Sequence, residues 1–124
     1  MTIDLLREYC LSLPHVTEDI KWGSVLCFSV SERIFFVVSL DETPLGASFK
    51  VRDEDFDFMC GLAGFVQAPY FAKNKWVKVL DIDTISSTEW KEYLFQSYQL
   101  IKLKLTKKLQ KEIDEMLSLN KKDE

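Results

Sequence analysis

Apolar residues recur at a helical interval from the start of the chain: Ile3, Leu6, Tyr9, Cys10 and Leu13 share one face, with Thr2 placed to cap the helix and Pro14 to stop it. The pattern then changes. After the connection "PHVTEDIKWGS", the stretches "VLCFSV" (25–30) and "RIFFVVSL" (33–40) are rich in β-branched and aromatic residues, and only Ser31 and Glu32 separate them, which predicts a tight hairpin. In the second strand both alternating sets are apolar, Phe35 and Val37 against Ile34, Phe36, Val38 and Leu40, as in a central strand covered on both faces. "GASFKV" (46–51) sets Ala47, Phe49 and Val51 against Ser48, Lys50 and Arg52, a half-buried strand whose basic residues face water.

Acids in the first turn of "DEDFDFMCGL" (53–62), with Gly61 and Gly64 near its end, predict a short helix. "FVQAPYF" and "WVKVLDI", joined by "AKNK", read as a second hairpin, with Asn74 in the left-handed turn position and Pro69 keeping its strand at an edge or near an end. Ser86 and Glu89 form a capping box for a helix whose stripe Trp90, Leu94, Tyr98, Ile101, Leu105, Leu109, Ile113 and Met116 runs over about 30 residues. Lys104, Lys107, Lys108 and Lys111 line one exposed face of it, and 118–124 is expected to be a frayed tail after a single domain at 1–117. The order α-β-β-β-α-β-β-α predicts an α+β fold, an antiparallel sheet with helices packed on it.

The 124 residues suffice for one domain, and 47% apolar with 29% charged residues is a globular composition. A net charge of -4 means that contact with a polyanion requires a local basic patch. No secretory leader or membrane-length apolar run is visible, so a cytoplasmic protein without membrane contact is expected. Cys10, Cys27 and Cys60 are odd in number and widely spaced, as reduced core thiols rather than disulfides or zinc ligands.

The one histidine, His15, rules out a multi-histidine metal site, and beside Pro14 it suits a surface turn better than acid–base work with Glu18 and Asp19. The four glycines make neither a Walker loop nor a dinucleotide fingerprint, and "DEDFD" lacks the spacing of a calcium loop. No nucleophile, cofactor site or metal site is nominated, so the expectation is a protein that is not an enzyme and needs no cofactor.

The basic features carry the functional signal. Strand alternation in "WVKVL" puts Val77 and Val79 toward the core and Trp76 and Lys78 outward, beside Lys73 and Lys75 in the turn and Lys50 and Arg52 on the neighbouring strand. Such lysines can neutralise phosphates, and an adjacent indole can stack on a base or wedge a groove. Against this, lysines commonly keep an edge hairpin soluble, and Trp76 would then pack under the last helix.

The first helix ending in "SLPHVTED", the "WG" before a strand and "RIFFVV", the segment "APYFAKNKWVKV" and the "SYQLI" of the last helix together resemble the MmcQ/YjbR family of small bacterial proteins, over about residues 3–117. Asn74 directly before Lys75 and Trp76 makes a shorter turn than the family pattern, and His15 stands where glycine is common. The resemblance implies a frataxin/CyaY-like α+β fold with hairpins projecting as wings, and a DNA-binding label that rests on that shape. It implies no catalytic residues.

The expectation is therefore a DNA-binding protein that contacts the phosphate backbone, without sequence preference, through Lys73, Lys75 and Lys78 with Trp76, supported by Lys50 and Arg52. The alternative is a protein-interaction or self-association module that uses a sheet face or an edge strand, and burial of Trp76 would favour it. A weaker third option, metal handling by an acidic ridge, has only Asp4, Glu8, Glu18 and Asp19 to offer.

Overall fold

A computed structural model describes residues 2–69 and 74–122, with side chains to residue 120. Six strands form one antiparallel sheet in the order β1-β2-β3-β4-β6-β5: β1 Val16–Lys21, β2 Val25–Val30, β3 Arg33–Ser39, β4 Gly46–Lys50, β5 Phe65–Gln67 and β6 Trp76–Val79. Helices α1 Ile3–Leu11, α2 Asp53–Cys60, α3 Ser87–Lys102 and α4 Lys107–Lys122 complete an α+β fold, with a 3-10 turn at Ile82–Thr84. Thr2 caps α1 by accepting from the Leu5 amide, and Ser86 caps α3 by accepting from the Glu89 amide, as their side-chain chemistry dictates.

The hairpin β2–β3 turns on Ser31 and Glu32, both at positive φ (45° and 74°), the primed geometry that matches the twist of paired strands. A bulge between Phe28 and Ser29 shifts the register, so that Phe35 meets Tyr98 and Phe36 meets Trp90, both residues of α3. Strict alternation, which sets these two phenylalanines on opposite faces, fails at that bulge. Phe28, Phe36, Phe49 and Trp90 build the centre of the core, and the Trp90 indole donates to the Ile82 carbonyl at 2.8 Å.

Three features depart from the sequence expectation. The connection at 16–21 is a strand, β1, whose mostly exposed residues hide it from hydropathy; it forms one edge of the sheet. The long C-terminal helix is two helices, because Leu103–Leu105 turns and Thr106 restarts the chain by accepting from the Leu109 amide at 3.2 Å. Helix α4 then continues to Lys122, through residues expected to form a tail. Pro69 does lie two residues beyond β5, the strand at the opposite edge.

Candidate functional site

The strand β6 lies between β4 and β5, pairing Trp76 with Lys50, Val77 with Phe49, Lys78 with Ser48 and Val79 with Ala47. Both neighbours are present, so this is an interior strand and not the exposed arm of a wing. Val77 and Val79 are fully buried, as alternation requires. Trp76 is buried as well, at 5% exposure within the contiguous core, which corrects the expectation that it faces solvent. β4 and β5 flank the strand and helix α2 packs against it, so the side chain of its first residue is enclosed although alternation points it away from the valines. Trp76 therefore presents no free ring for stacking.

The basic residues separate into two groups. Lys78 donates to Glu42 at 2.6 Å and its side chain is only 14% exposed, while Arg52 is held by Asp55 at 2.8 Å and by Glu54 at 3.3 Å. The guanidinium of Arg52 is thereby pushed further above its ordinary range, first by the hydrogen bond with Asp55. These two cations are engaged with acids. Lys73 lies outside the described residues.

Lys50 and Lys75 behave differently. The Lys75 ammonium sits 5.0 Å from the centroid of the Phe56 ring, and Lys75 itself, not Asn74, holds the left-handed turn conformation at φ 65°. Lys50 donates through Nζ to the Asn74 carbonyl at 2.5 Å, so it leans toward the same turn. Its backbone amide donates to Ser97 Oγ at 3.0 Å, which fastens this end of β4 to α3. Lys104, in the turn after α3, completes the group: the Lys50 ammonium is shifted below its ordinary range, first by burial and then by Lys104, with Lys75 adding repulsion and Asp53 opposing it.

Lys104 from the interhelical connection and Lys75 from the turn thus both repel the Lys50 ammonium, partly offset by Asp53, and none of the three has an ion pair to an acid among the described residues. Spacing alone places Lys104 in the lysine stripe of one long helix. The helix break at Thr106 removes it from Lys107, Lys108 and Lys111, and the signal that could have shown this was the threonine itself, a capping residue inside an apparently continuous stripe. Lys102, the other lysine at this end of α3, is spent on Asp114 at 2.5 Å.

Elsewhere, Glu18 accepts from Arg7 and is held below its usual carboxylate range, first by that bond. His15 stands at φ 64° with Nδ1 3.2 Å from Ser31 Oγ, a turn position. Cys10 and Cys27 are buried thiols, as expected; Cys60 is only half-buried. Burial raises all three above the ordinary thiol range. Among the described residues no cluster of three or more histidine, cysteine or acidic groups could hold a metal ion, and no helix is long and apolar enough to cross a membrane.

A family model described as YjbR matches residues 11–100. The crystal structure of a Deinococcus radiodurans protein with a DUF419 domain is similar at a TM-score of 0.79 and 28% identity, covering 91% of this chain and 88% of that one. A Pseudomonas syringae protein of solved structure shares the fold at a TM-score of 0.67 and 16% identity, covering 81% of this chain and 98% of that one. No curated protein matches the sequence.

Proposed function

The chain belongs to the YjbR family, and from that premise we propose that it is a non-catalytic binding protein that neutralises nucleic-acid phosphates through Lys50, Lys75 and Lys104. What carries the reading is the convergence of these three lysines. Bringing like charges together costs free energy in the isolated protein, and a bound phosphate backbone repays that cost while releasing counterions. Around them the chain carries a net charge of -4, so a polyanion is drawn to this patch and repelled by much of the rest of the surface.

Lysine offers a point charge and not the bidentate fork of arginine, so the contact recognises phosphates and reads few bases. Trp76 serves the core in this reading, and Lys78 and Arg52 stay with their acids. Lys73 adds a further charge to the sequence beside Lys75. The interaction-module alternative is favoured by two observations, the burial of Trp76 and the exposed edge strand β1, where Ile20 and the following Trp22 lie open to solvent.

The test is anisotropy of a labelled generic duplex over a salt series. With three phosphates neutralised, log K against log salt should fall with a slope of about -2.7. Replacing Lys50, Lys75 and Lys104 together by alanine should remove most of that slope, whereas Lys78→Ala should leave it. Absence of affinity at low salt would overturn the nucleic-acid reading and leave the interaction module.

A further inference from the structure

The face of the sheet turned away from α3 carries a cavity that the lysine cluster does not use. Phe36 and Val38 point toward α3, so Val37 between them points the other way. Strand register continues Val37 across the sheet to Ser48 and then to Lys78, and sets Val25 opposite Ser39 in the adjacent row. These five side chains, closed at the rim by Trp22 and Pro69, surround a volume of about 480 Å³, within the range of roughly 300–1,000 Å³ usual for small-molecule sites.

Several features mark it as a built site and not a gap in packing. Ser48 is 6% exposed and lines the cavity, and no hydrogen bond to another described residue occupies its hydroxyl, which leaves it available to a molecule in the cavity. Lys78 lies directly beside it in register and spends one of its three N–H donors on Glu42. Gly46 makes that ion pair possible: a Cβ there would stand 2.5 Å from Glu42 Oε1 and 2.9 Å from Lys78 Cε. At the rim, Trp22 is 67% exposed and held at φ 51°, a left-handed conformation uncommon for a bulky residue.

We propose that this cavity binds a small aromatic or branched aliphatic carboxylate, its apolar body against Trp22, Val25, Val37 and Pro69 and its carboxylate facing Ser48 and Lys78. The polar end is rich in donors: two N–H groups of Lys78 beyond the one given to Glu42, and the hydroxyls of Ser39 and Ser48. An acceptor with two oxygens satisfies such a set, and a cationic head would meet Lys78 with repulsion. The walls are apolar and one is an exposed indole, which suits a flat or branched hydrocarbon body. The proposal is independent of nucleic-acid binding, because none of Lys50, Lys75 and Lys104 lines the cavity.

Titration of the 15N-labelled full-length protein with 2-naphthoate, followed by amide and indole resonances, tests it, with neutral 2-naphthamide as the matched control. Saturable shifts confined to the Trp22 indole and to the amides of Val25, Val37, Ser39 and Ser48 are expected, with the amide probe weaker by about tenfold, as loss of a charge-assisted hydrogen bond implies. Ser48→Ala, which removes only the hydroxyl oxygen, should weaken naphthoate while leaving the spectrum folded. The double variant Lys78→Met/Glu42→Gln, which strands no charge, should make the two probes bind alike. The proposal is overturned by a lack of saturable shifts, by equal affinity of both probes for the unmodified protein, or by shifts at these residues on raising protein concentration alone, which would assign the face to a second copy of the chain.

Discussion

Trp76 decides how the basic hairpin is understood. Alternation within "WVKVL" was sound for Val77 and Val79, which are buried, and it failed for Trp76 because alternation says which residues share a face and not whether the other face is covered. Its cover comes from packing between distant segments, with β6 flanked by β4 and β5 and helix α2 set against it, which no local pattern carries. Trp76→Ala should therefore cost about 3–5 kcal/mol in denaturant unfolding, as for other large buried aromatics. A solvent-exposed position would cost within roughly 0.5 kcal/mol. Trp76→Phe keeps most of the apolar volume and should leave the salt slope of duplex binding unchanged; a slope or low-salt affinity that fell in the folded Phe variant would return the indole to the interface.

At the scale of elements, the sequence disclosed those with strong periodicity and concealed those defined by a single polar residue. Helix α1, the β2–β3 hairpin, β4 and α2 were legible because hydropathy and turn chemistry agree there. Strand β1 was not, since an edge strand exposing Thr17, Asp19, Ile20 and Lys21 carries little apolar alternation and draws its order from pairing with β2. The division of the last helix was missed for a different reason: the apolar stripe continues through the break, with Leu105 and Leu109 on either side of Thr106. The break is also why the candidate site was half legible, because Lys50 and Lys75 were in view while Lys104 was counted with another face. Thr106→Ala distinguishes the two architectures by sign. Loss of the N-cap should lower stability by about 1 kcal/mol, whereas in one continuous helix the better propensity of alanine would raise it by a few tenths. The midpoint of denaturant unfolding, at unchanged slope, reads this directly.

Across the whole molecule helices α1 and α3 and the sheet are bound by bonds between distant parts of the chain. Tyr98 donates to the Pro14 carbonyl at 2.8 Å, Ser97 to the Phe35 carbonyl at 2.6 Å, and Arg7 of α1 holds Glu18 of β1. Helix α4 is attached more sparingly, through the fully buried Ile113, the Lys102–Asp114 pair and Gln110, whose Nε2 donates to the Leu105 carbonyl at 2.9 Å. The region matched by the family model ends at residue 100, before α4 begins. A 16-residue helix is marginal in water without packing, so α4 owes its order to Ile113 and the half-buried Leu117 beside it on the core and should open separately from the sheet. Ile113→Ala, a change that costs about 2–5 kcal/mol in a rigid core, can then destabilise the rest only by as much as α4 docking contributes. Native-state hydrogen exchange should show α4 amides losing protection in this variant while β2, β3 and α3 retain most of theirs. If all four elements lost protection together, α4 would belong to the same cooperative unit as the sheet, and the turn carrying Lys104 would be as firmly held as Lys50.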